Sequence, residues 1–166
     1  MTVFTLERPV RFEEVDAAGL VFFPRFLGYA HEAMEQLFAS LEGGYARLIL
    51  ERRVGLPAVR LETEFAAPVR YGETLRIETT VARLGNRSAV LRYRMIRQHD
   101  SVLAAEIRHT VVSTDLAGLV SCDMPPDVRA VFVAHLEKSV APASAPGTHD
   151  ALPAASSALR ASDSGS

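Results

Sequence analysis

Tryptophan is absent from this chain, and cysteine occurs once, at Cys122. A single cysteine excludes an intramolecular disulfide, and no cysteine–histidine spacing suits a zinc site. Cys122 reads as an ordinary small residue, compatible with a reducing compartment. No apolar run approaches the roughly 20 residues that a membrane-spanning helix needs. The segment Met1–Pro9 carries Glu7 and Arg8 and lacks the apolar stretch of a signal peptide. The cytoplasm is therefore the expected location. Charge of one sign is scarce too: the net charge is -2, which gives no case for a nucleic-acid partner. A local basic cluster for a phosphorylated ligand stays open.

What is present suits one globular domain. Hydrophobic residues make up 48% of the chain and charged residues 23%, enough for a real core. The composition changes after Lys138. From Ser139 to Ser166, Ala, Ser, Pro and Gly dominate, and such a segment buries too little surface to offset its ordering entropy. The expected organisation is a domain over residues 1–138 followed by a disordered tail, 139–166.

Periodicity changes along the domain. Val10–Glu14 reads as a short first strand, broken by Asp16-Ala17-Ala18-Gly19. Pro24 suits the first position of a helix, where a missing N–H costs nothing. Leu27, Ala30, Met34, Leu37, Phe38 and Leu41 recur mostly at helical steps, and Gly43-Gly44 stops the helix. Tyr45–Arg53 adds a short second helix. Four long strands follow from alternating residues, over Ala58–Ala67, Thr74–Leu84, Ser88–Gln98 and Val102–Asp115. Pro125-Pro126 opens a last helix carrying Val128, Val131, Phe132 and Leu136. Short turns between the later strands predict antiparallel pairing. The fold class is α+β, with an antiparallel sheet of about five strands around one long apolar helix.

Three motifs then stand out. They are Val15-Asp16-Ala17-Ala18-Gly19-Leu20-Val21-Phe22-Phe23-Pro24-Arg25-Phe26, the turn Arg83-Leu84-Gly85-Asn86-Arg87-Ser88, and Asp115-Leu116-Ala117-Gly118 with Met124–Arg129. In this order they resemble the 4-hydroxybenzoyl-CoA thioesterase family, over nearly all of residues 7–137. The resemblance implies the hotdog fold and hydrolysis of an acyl-CoA to CoA and a carboxylic acid, with no metal or redox cofactor. It maps the family's catalytic carboxylate, a nucleophile or general base, to Asp16. The backbone N–H that polarises the thioester carbonyl maps to Phe23. Helix N-termini offer such unsatisfied donors, and Gly19 permits the tight bend between carboxylate and helix. Phe22 and Pro24 complete the expected substrate contacts. Arg83, Arg87 and Ser88 are candidates for the CoA phosphates, which Arg binds well.

The resemblance also implies a homodimer or homotetramer. An aromatic residue at 23, where some relatives carry His, points toward an aryl-CoA such as 4-hydroxybenzoyl-CoA. Glu14 reads as a solvated loop carboxylate, although relatives often carry a second acid before the signature Asp. His31, Glu32 and Glu35 read as solvated or interface residues of the helix. Arg92, Arg94 and Arg97 fit a sheet edge that contacts a second subunit. Two rivals remain: a noncatalytic acyl-CoA or acyl-carrier-protein binding protein, and a structural subunit whose tail docks a partner.

Overall fold

Alternating apolar residues make the sheet, and a three- and four-residue repeat makes the helix that fills it. The structure is a computed structural model that describes residues 2–138. Its main strands are β1 Phe4–Pro9, β3 Ala58–Phe65, β4 Thr74–Leu84, β5 Ser88–Arg97 and β6 Leu103–Val112. They form one antiparallel sheet in the order β1-β4-β5-β6-β3. A second, small sheet joins β2 Val54–Gly55, β7 Thr114–Asp115 and β8 Val120–Ser121. The helices are α1 Arg25–Leu37, α2 Gly44–Leu50 and α3 Pro126–Ala134. The α+β class and the five-stranded sheet around a long helix are as expected. No helix among the described residues is long and apolar enough to cross a membrane. The tail expected over 139–166 lies outside the described residues.

The core is the seam between α1 and the sheet. Leu75, Ile77, Leu91, Met95 and Ile107 are fully buried beneath Phe26, Tyr29, Ala30, Ala33, Met34 and Leu37 of α1. Burying each large apolar side chain stabilises the fold by about 1.5–3 kcal/mol. Ala30 and Ala33 are small enough to let the helix backbone approach the strands. The buried stripe differs from the expected one at Leu27, which is exposed, while Phe26 and Tyr29 point inward. The chain leaves α1 through a 3-10 turn at Phe38–Ser40 and reverses at Gly43, whose φ of 73° favours glycine.

The first strand is not at Val10–Glu14. It is β1, in register with β4 from Phe4↔Thr79 to Pro9↔Thr74; Phe12–Glu14 is a 3-10 turn. Pro9 costs the ladder nothing, because β1 is an edge strand and the next bond to the β4 side, from the Val10 N–H to the Glu73 carbonyl at 2.9 Å, is made past it. The expected last strand divides at Ser113 into β6 and β7. Arg92 and Arg94 are not at an edge either. They sit on the outer face of β5, the middle strand, pairing with Glu137 at 2.8 Å and Glu78 at 3.0 Å. Among the described residues the sheet has two edges, β1 and β3; β3 pairs with β6 alone and exposes nearly every residue.

Candidate active site

The turn before α1 is built from backbone bonds and one carboxylate. The Asp16 N–H donates to the Leu20 carbonyl at 2.8 Å, and the Gly19 N–H to the Asp16 carbonyl at 2.9 Å. Asp16 Oδ1 accepts from the Ala18 N–H at 2.8 Å, the Asx-turn arrangement that makes Asp a turn residue. Gly19 takes a φ of 72°, open to glycine at no steric cost. The Val21 N–H donates to the Val69 carbonyl at 2.8 Å, and Leu20 bridges to Arg70. The turn is thus fastened to the segment leading into β4, while the Asp16 side chain stays in solvent.

The helix entrance leaves one donor free. The Phe22 N–H donates to the Glu14 carbonyl at 2.9 Å, and the Arg25 N–H to the Phe22 carbonyl at 2.8 Å. Pro24 has no N–H. Between them, the Phe23 N–H has no acceptor among the described residues. An unaccepted N–H at a helix N-terminus suits an oxygen carrying negative charge. Phe22 and Phe23 pack edge to face with ring centroids 5.2 Å apart. Phe23 is 63% exposed, so its ring is not core packing. It opens onto a cavity of about 350 Å³, whose other walls include Leu20, Val21, Phe26, Phe65 and Val69. This wall is apolar and aromatic, as ligand pockets usually are.

Glu14 departs from expectation. It is 5% exposed, not a solvated loop acid. The Arg8 guanidinium clasps its carboxylate through both terminal nitrogens, one of them 2.7 Å from Oε2. Oε2 also accepts from the Arg11 N–H at 2.7 Å and the Tyr29 hydroxyl at 3.0 Å. Arg8 lies 4.4 Å over the Tyr29 ring and reaches Glu32 at 3.1 Å. Burial alone would raise the Glu14 carboxyl; the bonds from Arg8, Arg11 and Tyr29 outweigh it and hold the group below the ordinary carboxylate range. Burial and the same carboxylate push the Tyr29 hydroxyl upward. The network ties β1, the Asp16 segment and α1 together. Removing only the Tyr29 hydroxyl is a mild test of it: Tyr29→Phe should cost about 1.5–3 kcal/mol, the range for a bond to a charged group, in a denaturation curve.

The other sequence candidates lie elsewhere. His31 and Glu35 pair at 3.2 Å on the exposed face of α1. Arg83, Arg87 and Ser88 flank the β4–β5 turn, whereas the Asp16 turn sits by the segment entering β4. Ten residue steps along β4 separate those ends, roughly 30 Å. One copy of the chain does not bring the two together. Arg87 is also taken: its Nε lies 2.7 Å from Asp123, which also accepts from Asn86 at 3.1 Å. Sequence reasoning missed Arg8, Tyr29 and Phe65. No local signal marks them, since each works through a partner distant in the chain.

A family model described as the thioesterase-like superfamily matches residues 10–132. The chain is 30% identical over 131 residues to a 1,4-dihydroxy-2-naphthoyl-CoA hydrolase of Prochlorococcus marinus, covering 72% of this chain and 81% of that protein. Its fold superposes on a thioesterase-superfamily structure from Jannaschia sp. CCS1 with a TM-score of 0.75 and 27% identity, covering 82% of this chain and 95% of that one. A 1,4-dihydroxy-2-naphthoyl-CoA thioesterase from Synechocystis gives a TM-score of 0.73 at 26% identity, covering 80% and 96%.

Proposed function

The chain belongs to the thioesterase-like superfamily, and from that footing we propose that the Asp16 turn and the free Phe23 N–H form the site at which it hydrolyses an aromatic acyl-CoA. The reaction class is acyl-CoA thioester hydrolysis. The observation that carries the site is the Phe23 N–H at the α1 entrance, unaccepted among the described residues, on the same short loop as a solvent-facing carboxylate.

The chemistry follows from that pairing. A thioester carbonyl oxygen becomes an oxyanion when it is attacked. The Phe23 N–H receives it, and a fixed donor of this kind lowers the barrier by about 3–4 kcal/mol. Asp16 either takes the proton of an attacking water or attacks the carbonyl itself. When water attacks, collapse expels CoA as its thiolate and leaves a carboxylic acid. When Asp16 attacks, collapse expels the thiolate and leaves an acyl–Asp16 anhydride, which a water then hydrolyses to the carboxylic acid and the free Asp16 carboxylate. An aryl group fits the cavity walled by Phe23, Phe26 and Phe65, and the naphthoyl-CoA hydrolases named above support an aromatic acyl. Free-thiol release from a panel of aryl, short-chain and long-chain acyl-CoAs tests this reading. Turnover is expected, with aryl substrates preferred; release from none of them overturns the enzyme reading, and a preference for alkyl chains overturns the aryl one.

The site is completed by a second copy. The free strand β3 exposes Val59, Leu61 and Phe65, with Leu61 46% exposed. An edge strand of eight residues, half of them apolar, is a template for another strand on its open side. Two β3 strands pairing about a two-fold axis extend the sheet across both copies. The second copy's Arg83–Ser88 turn then lies at the Asp16 end, where Arg83 is available to a CoA phosphate. Leu61→Lys should convert a particle of at least twice the 18.1 kDa chain mass into a monomer by light scattering. An unchanged mass would place the interface elsewhere.

A further inference from the structure

A second cavity, of about 340 Å³, opens under the far end of α1, and its walls include His31, Met34, Tyr45, Leu56, His109 and Leu116. Its chemistry is unusual for a core. His109 is 8% exposed, and its Nε2 has no hydrogen-bond partner among the described residues. Behind the cavity wall, the Tyr93 hydroxyl is also buried without a partner among the described residues, its ring 6.3 Å from the imidazole. A buried polar group left unsatisfied costs about 1–3 kcal/mol, so native proteins seldom keep one idle. Burial, then the nearby His31, lowers the His109 pKa. The ring is therefore neutral at pH 7, with one nitrogen donating and the other accepting. An apolar chamber with a few convergent hydrogen-bonding groups has the form of a ligand subsite.

The strand directions say whose ligand it is. β3 begins at Ala58, on the wall of this histidine cavity, and ends at Phe65, on the wall of the Phe23 cavity. Antiparallel pairing of two β3 strands along their length sets Ala58 of one copy against Phe65 of the other. Each copy's histidine cavity then adjoins the other copy's Asp16–Phe23 site. We propose that His109 is a specificity-determining residue acting across the dimer, receiving a ring hydroxyl of the aromatic acyl group whose thioester is cleaved at Asp16 of the other copy. This rests on the thioesterase and edge-pairing readings above.

The test compares kcat/KM for 1,4-dihydroxy-2-naphthoyl-CoA with that for 2-naphthoyl-CoA. Wild type should favour the hydroxylated ring by about tenfold or more, the worth of one well-placed hydrogen bond. In His109→Phe the ratio should fall to near one. In His109→Gln, which keeps a polar group, an intermediate ratio is expected. Circular dichroism and dimer mass establish that each variant folds. A ratio unchanged in folded His109→Phe, or a wild-type ratio near one, overturns the proposal. Absence of turnover on either ring, with alkyl-CoA cleaved, instead overturns the aryl reading beneath it.

Placement across the dimer has its own readout. A mixed dimer of one Asp16→Asn copy and one His109→Phe copy puts both defects in one site and leaves the other intact. About half of wild-type activity on the hydroxylated substrate should return, although both parent dimers are impaired. If each site lay within one copy, no intact site would exist and activity would stay at about half that of the His109→Phe parent. That outcome would overturn the cross-dimer assignment.

Discussion

Asp16→Asn should lower kcat by about 10²–10⁴-fold, the range of general acid–base and nucleophilic contributions, while KM stays within about threefold. The substitution is chosen from the geometry. Asp16 Oδ1 accepts the Ala18 N–H at 2.8 Å, and an Asn side-chain carbonyl can accept the same bond. The turn, its fastening to Val69 and the free Phe23 N–H are thereby preserved. What is lost is the negative charge that attacks or deprotonates. Asp16→Ala removes the turn bond as well, so a larger loss there would mix chemistry with loop disorder. Substrate binding draws on the aromatic cavity and on contacts to CoA, which the Asn variant leaves alone. Stopped-flow thiol release with the preferred acyl-CoA separates kcat from KM. Wild-type kcat in folded Asp16→Asn would remove Asp16 from the mechanism and leave the enzyme reading standing.

What was legible in the sequence follows from local burial patterns. Strands β4, β5 and β6 were legible because each buries every second side chain, as in Leu91, Tyr93 and Met95. β1 was not, since one of its inward residues is Arg8, and its charge is neutralised by Glu14 only in the folded chain. Glu14 was misjudged for the matching reason. A carboxylate beside a turn looks solvated unless its distant partners, Arg8 and Tyr29, are known. Asp16 is by itself an ordinary turn residue in an Asx turn; only the order of motifs resembling a thioesterase family singled it out. The Phe23 N–H was assigned by the same resemblance; that it has no acceptor among the described residues is a property of the folded chain. The role of β3 as an open edge was hidden, since alternation reveals a strand and not its neighbours. His109 sat unnoticed within the alternation of β6, and what distinguishes it is a missing partner, a tertiary property.

Glu14→Ala should destabilise the fold by about 3–5 kcal/mol, the cost of leaving a buried charge without its partner. For a chain of this size that lowers the melting temperature by roughly 10–20 °C. Three elements lose their tie at once, because Arg8 of β1, the Arg11 N–H and the Tyr29 hydroxyl of α1 all converge on this carboxylate. Removing both charges should cost less than the single loss predicts. Arg8→Met with Glu14→Leu leaves no unpaired ion, and the two single variants with the double one form a cycle that measures the coupling. Acid tests the same bond another way. The Glu14 carboxyl titrates lower in the folded chain than in the unfolded one, so the folded state binds that proton more weakly. Its contribution is complete above the unfolded glutamate value of about 4.3. It is lost as the pH falls from there through the depressed folded value. Urea denaturation of wild type and Glu14→Gln at pH 7 should therefore show a wide gap that narrows steadily below pH 4. A gap independent of pH would mean that Glu14 stabilises through packing alone, and the Arg8 clasp would not be what holds the Asp16 turn against the helix.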